Sequence, residues 1–537
     1  MERASIFWPL LCLFLFILSG CGGGGGNSQD PVVFRYNESG GISSLDPAFS
    51  RNVENIWAVH QLFNGLVRMN SNLKVVGDIA KDWELNEKGT VYTFHLRDSV
   101  LFHEHKAFSN PSQRIVTAAD FEYSFERIMK EETASPGAYI FDKLRDNAEK
   151  GVKALNDSTL RIELEKTFPP FLGLLTMKYC SVVPEEVVNS LGKERFGREP
   201  IGTGPFRFKH WESGVKLLFA KNPDYFEKDD KGRQLPYLDG VSISFMKDRH
   251  TAFMEFKQGK FDYLSGVDGS FKEEVLNEKG KLRKEYRTDF ELRKGAYLKT
   301  DYLGILVDST VKGMKGHPLT DPLVRRAMNL AIDRKALVRH IRMDVGTPAL
   351  YGFIPDGLPS RGKEAFEALG SNRDKARRLL RKAGYPHGKG IPPIKLSTTE
   401  NYTDICEFVL NQLGKIGIEV NMNVVPPSNH RDHVAHSRFK FFRKSWVADY
   451  PDGQNFLSLF YSGNFSPEGP NYTHFRNARF DSLYEAAMKE SDRKERRKMY
   501  RKMDRIIVKK APVIPLFYDQ ILRLVKKEVK GLKENPM

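Results

Sequence analysis

Apolar and polar residues alternate in short stretches of this chain. In residues 91–97, Tyr92, Phe94 and Leu96 occupy alternate positions, and this period of two predicts a half-buried strand. The apolar stretch from Ala511 to Tyr518 carries its prolines near its start. It predicts a buried strand that returns late in the chain to complete an earlier sheet.

Other stretches repeat apolar residues at intervals of three and four, as amphipathic helices do. Asp321-Pro322 predicts a helix start, with Asp321 as N-cap and Pro322 at the first helical position. Residues 372–384 repeat this arrangement, and Gly384 is placed to end that helix. The basic run 493–510 predicts a helix with a buried stripe and a solvated basic face, with a patch for nucleic acid or anionic lipid as the alternative. Strands mixed with such helices predict an α/β protein.

The amino terminus is patterned differently from the rest of the chain. Arg3 precedes an apolar run over residues 6–18, and Ser19-Gly20 then stand directly before Cys21. The run is short for a membrane span, so residues 1–20 predict a signal peptide that resembles those of bacterial lipoproteins, with a lipid on Cys21. A plain secretory signal or a membrane anchor are the alternatives. The glycines that follow make residues 21–30 a flexible tether.

Composition narrows the class of protein without naming a site. The chain has 537 residues, 40% of them hydrophobic and 28% charged, which predicts a folded protein rather than a disordered polymer. Its formal net charge of +16 is compatible with binding to nucleic acid or to an anionic membrane, but a total charge does not identify a binding site. With Cys21 lipidated, Cys180 and Cys406 are expected to be buried free thiols rather than a pair.

A search for catalytic motifs gives little. The sequence contains no nucleophile elbow, Walker A loop or zinc-protease motif, and Gly202-Thr203-Gly204 is interpreted as a structural turn. His103 with His105, and His430, His433 and His436 at intervals of three, could ligate a metal, but no carboxylate or cysteine accompanies them. We therefore predict no enzyme activity, no cofactor and no metal site.

Several segments, taken in order, carry a family resemblance. They are Ser44-Leu45-Asp46-Pro47, Leu62-Phe63-Asn64-Gly65-Leu66, Ala80-Lys81-Asp82-Trp83, Thr117-Ala118-Ala119-Asp120-Phe121, Gly202-Thr203-Gly204-Pro205-Phe206, Arg325-Arg326-Ala327-Met328, Ala376 to Tyr385, and Trp446-Val447-Ala448-Asp449-Tyr450. Together they resemble the extracytoplasmic solute-binding proteins of peptide and nickel ABC importers (family 5), and most of all the oligopeptide-binding proteins.

This resemblance implies an α/β, two-lobed periplasmic-binding-protein fold with an additional third domain and a ligand enclosed between the lobes. Lobe I would comprise residues 31–75, 200–297 and 504–537. Domain II would comprise residues 76–199, and lobe III residues 298–503.

The resemblance also implies a set of ligand-binding residues. Asp449 would hold the α-amino group of a peptide, Ser445 and Val447 would pair with the ligand backbone, and Trp446 would lie over the ligand. Arg443 would meet the ligand carboxylate. On the opposite lobe, the segment from Ser50 to Val53, including Arg51 and Val53, would form the second backbone-pairing strand.

Two positions depart from the pattern of the close relatives. Arg51 replaces an acidic residue, and Gly137 stands where those relatives have a tyrosine against the ligand. A groove that is wider or differently charged at one end is expected.

The function predicted from the sequence is that of an exported, membrane-anchored, monomeric lipoprotein that hands short peptides to the permease of an ABC importer, without nucleic-acid binding. A receptor for a nickel chelate, haem or an opine-like solute is the alternative within the family. A surface adhesin or chaperone is the alternative outside it, and a hydrolase comes after both.

Overall fold

The computed structural model of the protein describes residues 30–145, 151–267 and 271–533. The predicted signal peptide, Cys21 and the tether up to residue 29 lie outside the described residues. Within the described residues, no helix has both the length and the apolar character that crossing a membrane requires.

The described strands differ widely in length, from two residues to sixteen. They are β1 Val33–Asn37, β2 Val67–Met69, β3 Val75–Gly77, β4 Ala80–Leu85, β5 Val91–Leu96, β6 Val152–Asn156, β7 Thr159–Glu163, β8 Phe206–Glu212, β9 Lys216–Lys221, β10 Gly240–Ser244, β11 Tyr263–Ser265, β12 Phe290–Ile305, β13 Thr347–Pro348, β14 Ile394–Thr398, β15 Val420–Val424, β16 Phe441–Val447 and β17 Val513–Lys526.

The structure describes ten helices of nine or more residues. They are α1 Val53–Leu62, α2 Ala118–Met129, α3 Glu185–Phe196, α4 Arg249–Lys257, α5 Pro322–Ala331, α6 Arg373–Lys382, α7 Thr403–Gly414, α8 Pro427–Ala435, α9 Ala478–Ala487 and α10 Arg493–Lys510. Asp321 and Asn372 cap α5 and α6 with their side chains, so both predicted helix starts are confirmed. The basic run also forms a helix, α10, with Met503 and Ile507 buried.

One large sheet runs through the molecule in the order β15-β14-β16-β12-β17-β11-β1-β10-β9-β8, with β13 also paired to β17. The late strand β17 lies at its centre, as the buried stretch from Ala511 predicted. It pairs antiparallel with β12 along most of its length, and the register shifts between Ala296 and Thr300. The two long strands therefore join the two halves of the sheet, with an irregularity at their middle.

A separate antiparallel sheet, β4-β5-β7-β6, includes the predicted strand β5, whose residues are buried alternately. It packs on its own hydrophobic core, to which Phe94, Phe121 and Phe171 belong. Tyr450, which follows β16, is also buried in that core. Tyr450 therefore packs in a core whose other buried residues lie between positions 66 and 182 of the chain.

The remaining cores lie on the faces of the large sheet. One surrounds β14, β16 and helix α5, and another surrounds β1, β9 and helix α1. Cys180 and Cys406 are buried and free, as the sequence predicted. The domain boundaries stated above remain a prediction.

Candidate functional site

A cavity of about 1520 Å³ lies between helix α1, loops next to the β4–β7 sheet, and the end of β16 with the segment after it. Its walls come from three stretches of the chain, residues 34–69, 136–179 and 446–489, and from single positions in the large sheet such as Tyr263 and Arg523. A volume of this size accommodates a small organic molecule or a short peptide.

The end of β16 and the segment after it form one wall of this cavity. Trp446, Val447 and Asp449 all line it. The buried Asn455 fixes their arrangement: its Oδ1 accepts from Trp446 Nε1 at 2.7 Å, and its Nδ2 donates to Asp449 Oδ2 at 3.0 Å. The Asp449 amide also donates to Asn455 Oδ1, at 3.3 Å. One amide side chain therefore holds both the indole and the carboxylate in place.

Asp449 is exposed, and its carboxylate faces the cavity, which is partly open to solvent. Burial raises the pKa of Asp449, and the hydrogen bond from Asn455 opposes that rise. No lysine, arginine or histidine among the described residues forms an ion pair with it. A carboxylate that the surrounding protein partly desolvates and that has no cationic partner gains most from a ligand that brings a cation.

The opposite wall includes Arg51 and Val53, at the start of helix α1. The Arg51 guanidinium has no ion-pair partner among the described residues. Gly137, where an aromatic residue was expected from the resemblance, lies against the ring of Tyr179, and a Cβ at this glycine would meet that ring. Tyr179 itself lines the cavity, so a tyrosine from another position supplies the aromatic surface.

Arg443 is in a different environment from the other predicted residues. It is buried on β16, its guanidinium bonds to Asp301 on β12, and it lies over the ring of Tyr402. Arg443 and Ser445 are not among the described residues that line the cavity. The structure thus brings Arg51, Val53, Trp446, Val447 and Asp449 together around the cavity and leaves Arg443 and Ser445 behind it.

Behind the cavity, a buried charge network crosses the large sheet, and the sequence analysis did not find it. Lys299 Nζ lies 3.1 Å from Asp301 Oδ2 and 2.7 Å from Asp519 Oδ2. Arg342 reaches the other oxygen of Asp519 at 2.8 Å. These side chains come from β12, β17 and the stretch before β13, and no sequence motif links residues so far apart.

Three of the histidines identified in the sequence contact other groups of the protein. His103 is buried, and its Nε2 donates to the Gly204 carbonyl at 3.0 Å while its Nδ1 accepts from Gly202 N. It therefore fixes the turn that contains Gly202-Thr203-Gly204. His430 contacts the Ser397 carbonyl at 3.2 Å, and His436 lies beside Asp432. Within residues 30–145, 151–267 and 271–533, no group of three metal-ligating side chains is present.

Comparison with known sequences gives consistent matches over most of the chain. The sequence model of the bacterial extracellular solute-binding proteins, family 5 middle, matches residues 74–467. Heme-binding protein A of Haemophilus influenzae is 27% identical over 492 residues, which are 89% of this chain and 85% of that protein. Periplasmic oligopeptide-binding protein OppA of Salmonella typhimurium is 27% identical over 524 residues, 94% of this chain and 90% of that protein.

Solved structures match over nearly the whole chain as well. The periplasmic binding protein DppA from Helicobacter pylori, in complex with peptide STSA, has a TM-score of 0.76 and 26% identity, covering 94% of this chain and 96% of its own. NikZ from Campylobacter jejuni, in complex with Ni(L-His), has a TM-score of 0.73 at 22% identity, covering 94% and 96%, which supports the fold alone. These matches confirm the expected two-lobed fold and the expected family.

Proposed function

The chain belongs to the bacterial extracellular solute-binding proteins of family 5, and from that membership we propose that it captures short peptides for an ABC importer. Relatives named for haem and for oligopeptides are equally similar to it. The choice between these ligands therefore depends on the chemistry of the cavity.

The observation that carries the proposal is the Asp449 carboxylate. It faces the cavity, it is held in place by Asn455, and no cation of the described residues forms an ion pair with it. The α-amino group of a peptide supplies such a cation, together with N–H donors for the carboxylate. A ligand without an amine would leave this carboxylate desolvated and unpaired, which is costly.

The edge of β16 supports binding of an extended ligand. Residues 441–447 of β16 pair with β12 on one side. On the other side, only Phe441 and Phe442 pair with β14. The backbone of residues 443–447 thus has an edge that no described strand occupies, next to Val447 in the cavity wall. A peptide added to that edge would be recognised by its backbone, which reads length and direction more than sequence.

The cellular setting follows from the amino terminus. The apolar run, the small residues and Cys21 support export and lipid anchoring of the mature chain. An anchored receptor that encloses its ligand and has no catalytic motif suits delivery to a permease.

The test combines a change in the protein with a change in the ligand. We expect Asp449→Asn to weaken binding of a free-amine peptide by roughly a hundredfold, because the variant keeps the shape and removes the charge. N-acetylation of the peptide should weaken wild-type binding to a similar extent and should matter much less in the variant. Calorimetry on the four combinations measures this coupling.

The comparison of the two peptides serves as the control. A general loss of stability would lower the affinity of the variant for the free and the acetylated peptide by the same factor. If acetylated and free peptides bind the wild type equally well, the amine anchor is wrong. A haem or nickel-chelate ligand then becomes the better hypothesis.

A further inference from the structure

We propose that the basic face of helix α10 is a membrane-contact surface that lies on anionic phospholipid headgroups. This inference goes beyond peptide capture and does not depend on which ligand the cavity binds. It adds a second membrane contact to the lipid anchor proposed at Cys21.

The exposed side of α10 carries a continuous stripe of positive charge. Basic residues recur there at intervals of three and four, which places them on one side of a helix. The members of this basic stripe, all exposed, are Lys494, Lys498, Arg501, Lys502, Arg505 and Lys509. At about 1.5 Å per residue, the stripe extends about 22 Å along the helix.

The protein does not neutralise the basic stripe. Glu495 pairs with Lys498 at 2.6 Å, and Asp504, the other acidic residue of α10, is buried. The remaining five members of the stripe form no ion pair with a described residue. Like charges three and four positions apart repel one another on a helix. A partner of opposite charge would relieve this repulsion along the whole stripe.

The other side of α10 is fixed to the protein. Tyr500, Met503 and Ile507 are buried in a hydrophobic core that also contains residues of α9. At the amino-terminal end of the helix, the Asp492 carboxylate accepts hydrogen bonds from the amides of residues 494 and 495, at 2.6 and 3.0 Å. The basic side chains therefore project from a fixed helix, and they can contact headgroup phosphates without insertion of apolar residues into the bilayer.

A membrane fits this surface better than a nucleic acid does. Tyr500 is the one aromatic residue in the sequence of α10, and it is buried, so the stripe offers no ring on which bases could stack. The chain also belongs to a family of extracellular proteins. With a lipid on Cys21, residues 21–29 would keep the folded body within about 30 Å of the bilayer. Headgroups would then be present at high local concentration.

The test measures acetylation of individual lysines in the full-length protein. The protein is purified in detergent and mixed with vesicles while the detergent is removed. One set of vesicles is phosphatidylcholine alone, and the other is an equal mixture with the anionic phosphatidylglycerol. A water-soluble reagent acetylates the lysines, and mass spectrometry measures the extent at each. Lys81 and Lys88, which are exposed and stand beside Asp82 and Glu87, are the internal reference.

We expect lysines of the basic stripe to react about tenfold more slowly on the anionic vesicles than on phosphatidylcholine, whereas the reference lysines react alike on both. Salt at about 1 M should abolish the difference, because it shortens the Debye length to about 3 Å. The double variant Arg501→Gln, Arg505→Gln should lose most of the protection, although it keeps every lysine of the stripe. Arg207→Gln with Lys209→Gln, which removes the same charge from exposed positions of β8, should keep the protection.

Two results overturn the inference. Equal acetylation of the stripe on both kinds of vesicle, or full protection in the Arg501→Gln, Arg505→Gln variant, would show a solvated helix face that does not contact the membrane. Duplex DNA at the same phosphate concentration is the rival partner. If it protects the stripe and the anionic vesicles do not, the stripe is a nucleic-acid surface.

Flotation of the vesicles separates these results from the lipid anchor. A protein that floats with phosphatidylcholine vesicles and shows no protection on anionic ones keeps the anchor and lacks the surface contact. A protein that floats only with anionic vesicles and is protected there has the surface contact and lacks the anchor.

Discussion

Charged side chains inside this protein differ in where their partners come from. Arg443 is bonded to Asp301, which is 142 positions away in the chain, whereas Asp449 faces the cavity. A sequence motif located Asp449 because the residues around it are consecutive. The same motif led us to predict that Arg443 binds the ligand. The residues next to Arg443 in the sequence give no sign of its partner Asp301, which lies on another strand.

A buried carboxyl outside the cavity gives a pH prediction. Burial raises the pKa of Asp504 on α10 to about 7, although the Phe353 amide donates to its Oδ1 at 2.8 Å. The folded state therefore favours the neutral acid. The stability from this group is fully present below its unfolded pKa near 4 and is lost as the pH rises through 7, by up to about 4 kcal/mol. Urea unfolding of wild type and Asp504→Asn from pH 4 to pH 8 measures this contribution.

Other groups titrate in the same range, so the informative quantity is the difference between the two proteins. The free energy of unfolding of wild type, minus that of Asp504→Asn, should fall with rising pH. Parallel curves for the two proteins would mean that Asp504 is ionised in the folded state throughout.

Single elements were predictable where their signals are local. Helices α5 and α6 begin at the predicted caps, and β5 shows the predicted alternation, because caps and periodicity depend on residues a few positions apart. These local signals could not predict the order of strands in the large sheet. It depends on pairs such as β1 with β10, whose residues are about two hundred positions apart. The family resemblance supplied the fold class but no strand order.

The turn at Gly202-Thr203-Gly204 gives a prediction for an element junction. A Cβ at Gly202 would overlap the Leu62 carbonyl at the end of α1, and the His103 ring holds the same turn from the other side. We expect Gly202→Ala to lower the free energy of unfolding by about 1–3 kcal/mol, because neither neighbour can move aside. Chemical denaturation measures the loss.

Gly414, in helix α7, provides the matched control. A Cβ there meets nothing within 4 Å, so Gly414→Ala should be neutral or slightly stabilising. Equal effects of the two substitutions would show that the close contact at Leu62 does not constrain the turn.

At the scale of the whole molecule, the cavity is partly open and its walls come from separate segments of the chain, so they can enclose a ligand only by moving relative to one another. Tyr450 joins those walls: it follows β16, lines the cavity and is buried in the core of the β4–β7 sheet. We expect Tyr450→Ala to weaken closure, giving a larger radius of gyration at saturating ligand and a lower affinity. Small-angle X-ray scattering on wild type and variant, emptied and saturated, measures both states.

Tyr450→Phe is the control, because it keeps the buried ring and removes only the hydroxyl that contacts Gln454. It should close as wild type does. If emptied and saturated wild type give identical scattering curves, the protein does not close on its ligand.

The central position of β17 has a consequence for biosynthesis. The ribosome makes Val513–Lys526 after every strand that they join, and β17 lies between β12 and β11 in the middle of the large sheet. Until it emerges, β12 and β11 each lack a neighbour, and the halves of the sheet have no strand between them. The sheet therefore cannot be completed progressively during synthesis. The strand that is made last is thus also the one that completes the large sheet, so its long-range pairings form only after nearly all of the described chain has been synthesised.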